Sequence, residues 1–189
     1  MDNKTLENGA YSPEFQGSRQ RISPNYMAVF RALIPHSETV VDIGTGNGCH
    51  VQAMRDEGWR ATGIDGTPGI EDATNGLVHE FDLSKFDINK CALHQSTWGI
   101  CFEVGEHIPP RYETDFIKNL AHLARRWLVI TWAGKEDRGY GHVNCHHPGH
   151  ISQLLYRVGG FVFDEEKTYI AKEAIAKPKY KNKIMVFRG

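Results

Sequence analysis

The sequence predicts an α/β protein in which helices cover both faces of a doubly wound, mainly parallel sheet. Three observations carry this. Strand-like runs alternate with helical patterns from residue 39 onward in the 189-residue chain, the order that builds parallel sheets through crossover helices. The first, fourth and fifth runs are almost wholly apolar, as strands buried on both faces must be. The first four end in or beside a carboxylate (Asp42, Asp65, Asp82, Glu103), where an open α/β sheet collects its functional groups.

Each element follows from local signals. Ser23 before Pro24 is a capping hydroxyl ahead of a first-turn proline. Met27, Phe30, Leu33 and Ile34 then recur at helical spacing until Pro35 stops them. Thr39–Ile43 reads as strand, residues 49–58 as helix, Arg60–Ile64 as a second strand and Leu77–Phe81 as a weak third. The stretch after Asp82 is short, so its helix should be reduced or irregular. Thr97–Phe102 is the fourth strand. Phe116, Leu120 and Leu123 mark a helix over 112–125, and Trp127–Trp132 the fifth strand. Pro148 opens a helix that buries Ile151, Leu154, Leu155 and Val158, and late strands lie around Phe161–Phe163 and Ile184–Phe187. Residues 1–22 lack periodicity and read as a tail or lid, leaving one domain over 23–189.

Composition narrows the function classes. The 40% hydrophobic content fills a single core, and no run of eighteen apolar residues exists to span a membrane. The N-terminus has no secretory signal, and Cys49, Cys91, Cys101 and Cys145 form no CxxC pair. A reduced, cytoplasmic protein is the expectation. With 22 basic against 23 acidic residues and a net charge of −1, affinity through nucleic-acid phosphates is disfavoured. The lysines at 177, 179, 181 and 183 read as a solvated loop or hairpin end.

The chemistry concentrates after strand one, in Asp42-Ile43-Gly44-Thr45-Gly46-Asn47-Gly48. Its glycines admit a ligand close to the backbone and lead into a helix N-terminus. The spacing G-x-G-x-G is not the dinucleotide fingerprint, whose third glycine falls one residue later, and no P-loop lysine follows. Asp65, followed by Gly66, ends strand two, where a carboxylate can accept both hydroxyls of a ribose.

These residues resemble the class I S-adenosylmethionine (SAM)-dependent methyltransferases over about residues 36–189. The resemblance implies a sheet order of 3-2-1-4-5-7-6 with the seventh strand antiparallel. It implies SAM as cofactor: the glycine loop around its amino-acid part, Asp65 on the ribose, and Asp82 with Leu83 at the adenine. Phe102-Glu103-Val104-Gly105-Glu106-His107-Ile108-Pro109 looks like the fourth-strand motif of small-molecule and O-methyltransferases. By that likeness Glu103 sits near the methionyl part of SAM.

Direct methyl displacement needs a base, and His107, His142 and Glu106 are the candidates. Similar runs occur in ubiquinone-pathway O-methyltransferases and small-RNA 2′-O-methyltransferases, some of which hold Mg²⁺; by that likeness the ligands here would be Glu103, Glu106, His107 and His142, although many relatives with such a run bind no metal. The metal-free reading is preferred. Residues 142–150 hold further histidines but no zinc-type pairing, and read as a substrate-facing loop before a helix start. Tyr11, Phe15 or Tyr26 is expected to touch substrate. The expected partner is a small-molecule methyl acceptor, with O-methylation favoured. RNA 2′-O-methylation, aminopropyl transfer and non-catalytic SAM binding stay open, as does the oligomeric state.

Overall fold

A computed structural model describes residues 4–16, 21–137 and 139–189. Its elements run α1 (Pro13–Gln16), α2 (Pro24–Leu33), β1 (Thr39–Ile43), α3 (Cys49–Asp56), β2 (Arg60–Asp65), α4 (Ile70–Ala73) and β3 (Val78–Glu80). There follow α5 (Ile88–His94), β4 (Ser96–Phe102), α6 (Glu113–Leu123), β5 (Ala124–Thr131), α7 (Pro148–Gly159), β6 (Val162–Phe163), α8 (Glu165–Ala174), α9 (Pro178–Lys181) and β7 (Met185–Arg188). The strands form a seven-stranded sheet in the order β3-β2-β1-β4-β5-β7-β6. β1 to β5 are mutually parallel, and β7 runs antiparallel between β5 and β6. The order reverses between β1 and β4, which opens a crevice at their carboxyl ends.

Alternation along each strand divides the core into two layers. Val41, Ile43, Leu128, Ile130, Met185 and Phe187 pack beneath α6 and α7, with Phe116, Leu120, Ile151 and Leu155. Val40, Ile100, Val129, Ile184 and Val186 face the other way, against Phe30 of α2, Met54 of α3 and Ala171 of α8. The cap read from sequence at Ser23 is present, and α7 is capped at both ends. Ser23 accepts from the Tyr26 amide at 3.5 Å, His147 Nδ1 from the Gly149 amide at 3.2 Å, and Gly160 ends α7 at φ 73°.

Several elements differ from the expectation. α6 stops at Leu123 and β5 begins at Ala124, because the chain turns directly from helix into sheet. The reduced helix after Asp82 is α5, started by the Asp87 carboxylate on the Asn89 and Lys90 amides. α8 has no counterpart in the sequence reading. Its buried stripe is Thr168 and Ala171, while Tyr169 and Ile170 are exposed, so the apolar periodicity that marks a helix is missing. The expected lysine loop contains α9, and Lys183 beyond it is largely buried. Of the expected 1–22 cover, residues 1–3 and 17–20 lie outside the described residues. Residues 4–12 form a compact turn closed by the Thr5–Tyr11 bridge. Among the described residues no helix is long and apolar enough to cross a membrane.

β4 passes so close to its neighbours that Gly99 has no room for a side chain. A Cβ there would stand 2.5 Å from Ala124 Cβ and 3.3 Å from Ile43 Cδ1. Gly99→Ala should therefore cost about 1–3 kcal/mol in urea unfolding, the usual scale of overpacking. Adding Ala124→Gly should return part of that loss, since adjacent substitutions are not additive.

Candidate functional site

At the carboxyl end of β1 the chain must turn sharply while leaving two carboxylates buried. Asp42 is 5% exposed and Asp65 is 7% exposed. Asp42 Oδ2 accepts the Thr45 hydroxyl at 2.6 Å. Asp65 Oδ2 accepts the Gly46 amide at 2.7 Å, and its Oδ1 accepts the Thr67 amide at 2.9 Å and the Thr67 hydroxyl at 2.8 Å. Thus the loop after β1 is tied to the end of β2. Gly44 is left-handed at φ 74°, and a Cβ there would meet Val104 Cγ2 at 2.5 Å. Burial, and then the neighbouring Asp65 charge, push the Asp42 carboxyl up to about 7 despite the Thr45 bond. Burial also raises Asp65, against its three hydrogen bonds.

This corner opens into a cavity of about 410 Å³. Of the sequence candidates, Asp42, Gly44, Thr45, Asp65, Gly66 and Leu83 line one side. Glu103, His107 and His142 line the other. Gly46, Asn47 and Gly48 do not line it; they hold the turn, with Asn47 Oδ1 accepting the Cys49 amide at 3.1 Å and Gly48 left-handed at the start of α3. Asp82 does not line it either. Its Oδ1 accepts the Ser84 amide and hydroxyl, and its Oδ2 pairs with Lys85 at 2.9 Å.

The far wall holds unusual electrostatics. Glu103 has φ 55°, a left-handed conformation uncommon for a glutamate. Its amide donates to Thr131 Oγ1 at 2.9 Å, and its carboxylate meets Lys183 Nζ at 3.3 Å. The lysine also pairs with Asp137 at 3.2 Å. Glu106 is fully buried, and neither of its carboxylate oxygens makes a hydrogen bond among the described residues. Burial and the adjacent Glu103 push it up to about 8.

His107 Nδ1 lies 3.1 Å from the Gly141 carbonyl, and His142 Nδ1 lies 3.0 Å from the Asp137 carbonyl. A carbonyl only accepts, so both Nδ1 atoms carry the proton and both Nε2 atoms keep a lone pair. The two rings meet edge to face at 5.0 Å. Burial, with His142 beside it, lowers His107 to about 4, so it is neutral at pH 7.

The structure also recruits residues that the sequence reading passed over. Asn8, Gly9 and Ala10 of the N-terminal turn line the cavity, as does Tyr11 beside them. The Tyr11 carbonyl lies 3.1 Å from the Thr67 hydroxyl, whose proton it shares with Asp65, and the Tyr11 hydroxyl lies 3.4 Å from His107 Nε2. Tyr26, like Tyr11 a residue expected to touch substrate, lines the cavity too, whereas Phe15 does not line it and packs on Tyr11 at 5.0 Å and Tyr140 at 5.3 Å. His50 is a further lining residue, accepting the Ser23 amide through Nε2 at 2.9 Å. Lys183 is the other addition; the alternation of its lysine run gave no hint that it would turn inward.

No protein-family model matches the sequence, and no curated protein matches it. Solved structures do. Magnesium protoporphyrin IX methyltransferase from Synechocystis PCC 6803, with bound S-adenosylhomocysteine, aligns at TM-score 0.60 and 18% identity, covering 87% of this chain and 79% of that one. A TehB-like SAM-dependent methyltransferase from Corynebacterium glutamicum aligns at 0.61 and 15% identity, covering 92% and 91%. The small RNA methyltransferase HEN1 aligns at 0.61 and 15% identity over 90% of this chain but 27% of its own. The chain has the class I SAM-dependent methyltransferase fold.

The buried acid pair yields a test in the free protein. A carboxyl raised to about 7 leaves the folded state holding a proton that the unfolded chain releases near pH 4. The Asp42 contribution to stability must then fall as pH rises from about 4 to about 7 and level off above. Asp42→Asn keeps an acceptor for Thr45 and removes that titration. The variant should gain on the parent across this window, on the order of a few kcal/mol, in denaturant unfolding at fixed ionic strength.

Proposed function

We propose that this protein is a SAM-dependent methyltransferase whose acceptor is a small molecule methylated on oxygen. One observation carries the reading: a single cavity joins the β1–β2 acid and glycine corner to two imidazoles whose Nδ1 atoms are held by backbone carbonyls, one of them the neutral His107. Its volume falls within the range of small-molecule sites. The residues fit the cofactor. Asp42, Asp65 and the unpaired Glu103 oxygen suit a molecule that is cationic at sulfur and at its amino group, and Gly44 supplies a backbone cradle that a Cβ would fill.

Bound SAM supplies an electrophilic methyl on a positively charged sulfur. Asp65 already accepts three donors, and a carboxylate offers about four acceptor positions. It therefore takes one ribose hydroxyl directly, and the second by releasing the Gly46 amide. Leu83 and Gly66 offer the surface for the adenine, while Asp82 acts by shaping the turn. His107 is the base: Gly141 fixes its tautomer, and Nε2 takes the acceptor's proton as the new carbon–oxygen bond forms. Holding the acceptor in line is the larger part of the work. The N-terminal turn, whose Asn8, Gly9, Ala10 and Tyr11 line the cavity, acts as the lid, with 23–189 as the domain beneath it.

A second reading is favoured by a specific observation, the unpaired and fully buried Glu106. Its carboxylate and the His107 and His142 rings offer ligand atoms within 4.8 Å of one another. Backbone carbonyls orient both imidazoles through Nδ1, as they do for metal-bound histidines. Glu106, His107 and His142 would hold a divalent cation, Mn²⁺ in preference to Mg²⁺ because two of the three donors are imidazoles, and it would acidify an acceptor hydroxyl. Glu103, the fourth candidate, stands outside this group of ligand atoms, with its Oε2 paired to Lys183.

Two experiments separate these statements. Calorimetry with SAM and S-adenosylhomocysteine should show Asp65→Ala weaker by roughly 1.5–3 kcal/mol, the scale of charge-assisted hydrogen bonds; unchanged affinity would remove the cofactor assignment. An Mn²⁺ titration followed by electron paramagnetic resonance needs no acceptor. Binding to the parent that weakens more than about 10-fold in Glu106→Gln supports the cation, and equal binding leaves His107 as an unassisted base.

A further inference from the structure

A second group of metal-binding side chains stands apart from the cavity. Glu113 opens α6, His146 lies in the connection after β5, and His150 sits in the first turn of α7. Their ligand atoms fall within 4.8 Å of one another, and none of the three lines the cavity described above. We propose that Glu113, His146 and His150 form a separate site for a late first-row divalent ion, Zn²⁺, Ni²⁺ or Co²⁺. The proposal does not depend on methyl transfer.

The donor set selects the ion class. Two imidazoles and one carboxylate suit zinc and its neighbours better than Mg²⁺ or Ca²⁺, which prefer all-oxygen shells. Three protein ligands leave the remaining position to water. His146 Nε2 lies 2.6 Å from Glu113 Oε1, so a proton now occupies the place between them. An entering ion displaces it, either to Nδ1 of the same ring or to solvent. Ligands about 2.0–2.2 Å from one ion stand roughly 3.3 Å apart. The pair must therefore open by several tenths of an ångström while His150 swings inward. His150 is exposed, with its ring 4.3 Å from that of His146.

The surroundings are built to hold the first two ligands. Asn144, 5% exposed, donates through Nδ2 to Glu113 Oε1 at 2.8 Å. The His146 amide donates to the Ala133 carbonyl at 3.1 Å, and its ring packs on Trp132. Trp132 in turn donates through Nε1 to the Asn144 carbonyl at 2.6 Å. A buried amide orienting the ligating carboxylate is the kind of outer contact that metal sites use. An ion here would clamp the start of α6 to the start of α7, and with them the connection that carries His142.

The test uses the full chain, free of affinity tags and stripped with EDTA, titrated with Co²⁺ and followed by visible absorption. The expected result is a d–d band at one equivalent that Zn²⁺ bleaches, with a higher melting temperature in Zn²⁺. That equivalent should weaken more than about 10-fold in His150→Ala, whose side chain is exposed and whose fold is checked by circular dichroism. Glu113→Gln should weaken it likewise. Glu106→Gln should leave it intact, which distinguishes it from any ion in the cavity. The absence of the band in the parent, or equal Co²⁺ affinity in His150→Ala and the parent, would overturn the proposal.

Discussion

Much of this structure turns on one hydrogen bond, from the Gly46 amide to Asp65 at 2.7 Å. It joins the loop after β1 to the last residue of β2, strands whose pairing is otherwise ordinary parallel sheet. Burying a carboxylate is costly unless its lone pairs are met. Asp65 meets that demand with the turn itself, so the loop is fixed in the shape that opens the cavity. Asp42 does the same one strand over, through Thr45. Burial, and after it the Asp65 charge, raise the Asp42 carboxyl. A cationic ligand would relieve this, so the corner is poised for one before it arrives.

The opposite wall is held by a different device. Glu103 departs from extended backbone immediately after β4, at a cost on the order of 1–3 kcal/mol. Thr131 from β5 receives its amide, and Lys183, just before β7, holds its carboxylate. Burial alone would lower the Lys183 ammonium, yet Glu103 and Asp137 together keep it above its ordinary value. The strain at Glu103 is therefore sustained by the final strand of the sheet. This links the C-terminal end of the chain to a motif eighty residues earlier.

What could be read in the sequence follows from how local each signal is. The glycine turn, Asp65, the helix cap at Ser23, the helix start at Pro148, and the alternating strands are short-range features, and they stand where the residues put them. The sheet order came through family resemblance and not through periodicity. α8 was illegible because Thr168 and Ala171 replace the usual large apolar stripe. Lys183 looked like its solvated neighbours, since only tertiary pairing turns it inward. The N-terminal turn docks through the scattered Glu7, Asn8 and Tyr11 side chains and the Tyr11 carbonyl, which form no periodic pattern in the sequence. The histidines of 142–150 lacked a zinc-type pattern because Glu113, their third partner, comes from thirty-three residues upstream of His146.

The long connection between β5 and α7 shows how these parts depend on each other. A segment with no regular structure must still satisfy its backbone, and this one does so on the fourth-strand motif. The Glu106 carbonyl accepts the Val143 and Asn144 amides at 2.8 and 3.0 Å. Trp132 packs over Gly105, where any side chain would collide with its ring. Glu106 thus serves twice: its carbonyl anchors the connection, and its carboxylate faces the histidine that the connection delivers. His142 and His146 flank that anchor, one directed to the cavity and the other to Glu113. Any shift in the anchor moves both histidines together, so the two groups of ligands are mechanically coupled through Asn144 even though they share no side chain.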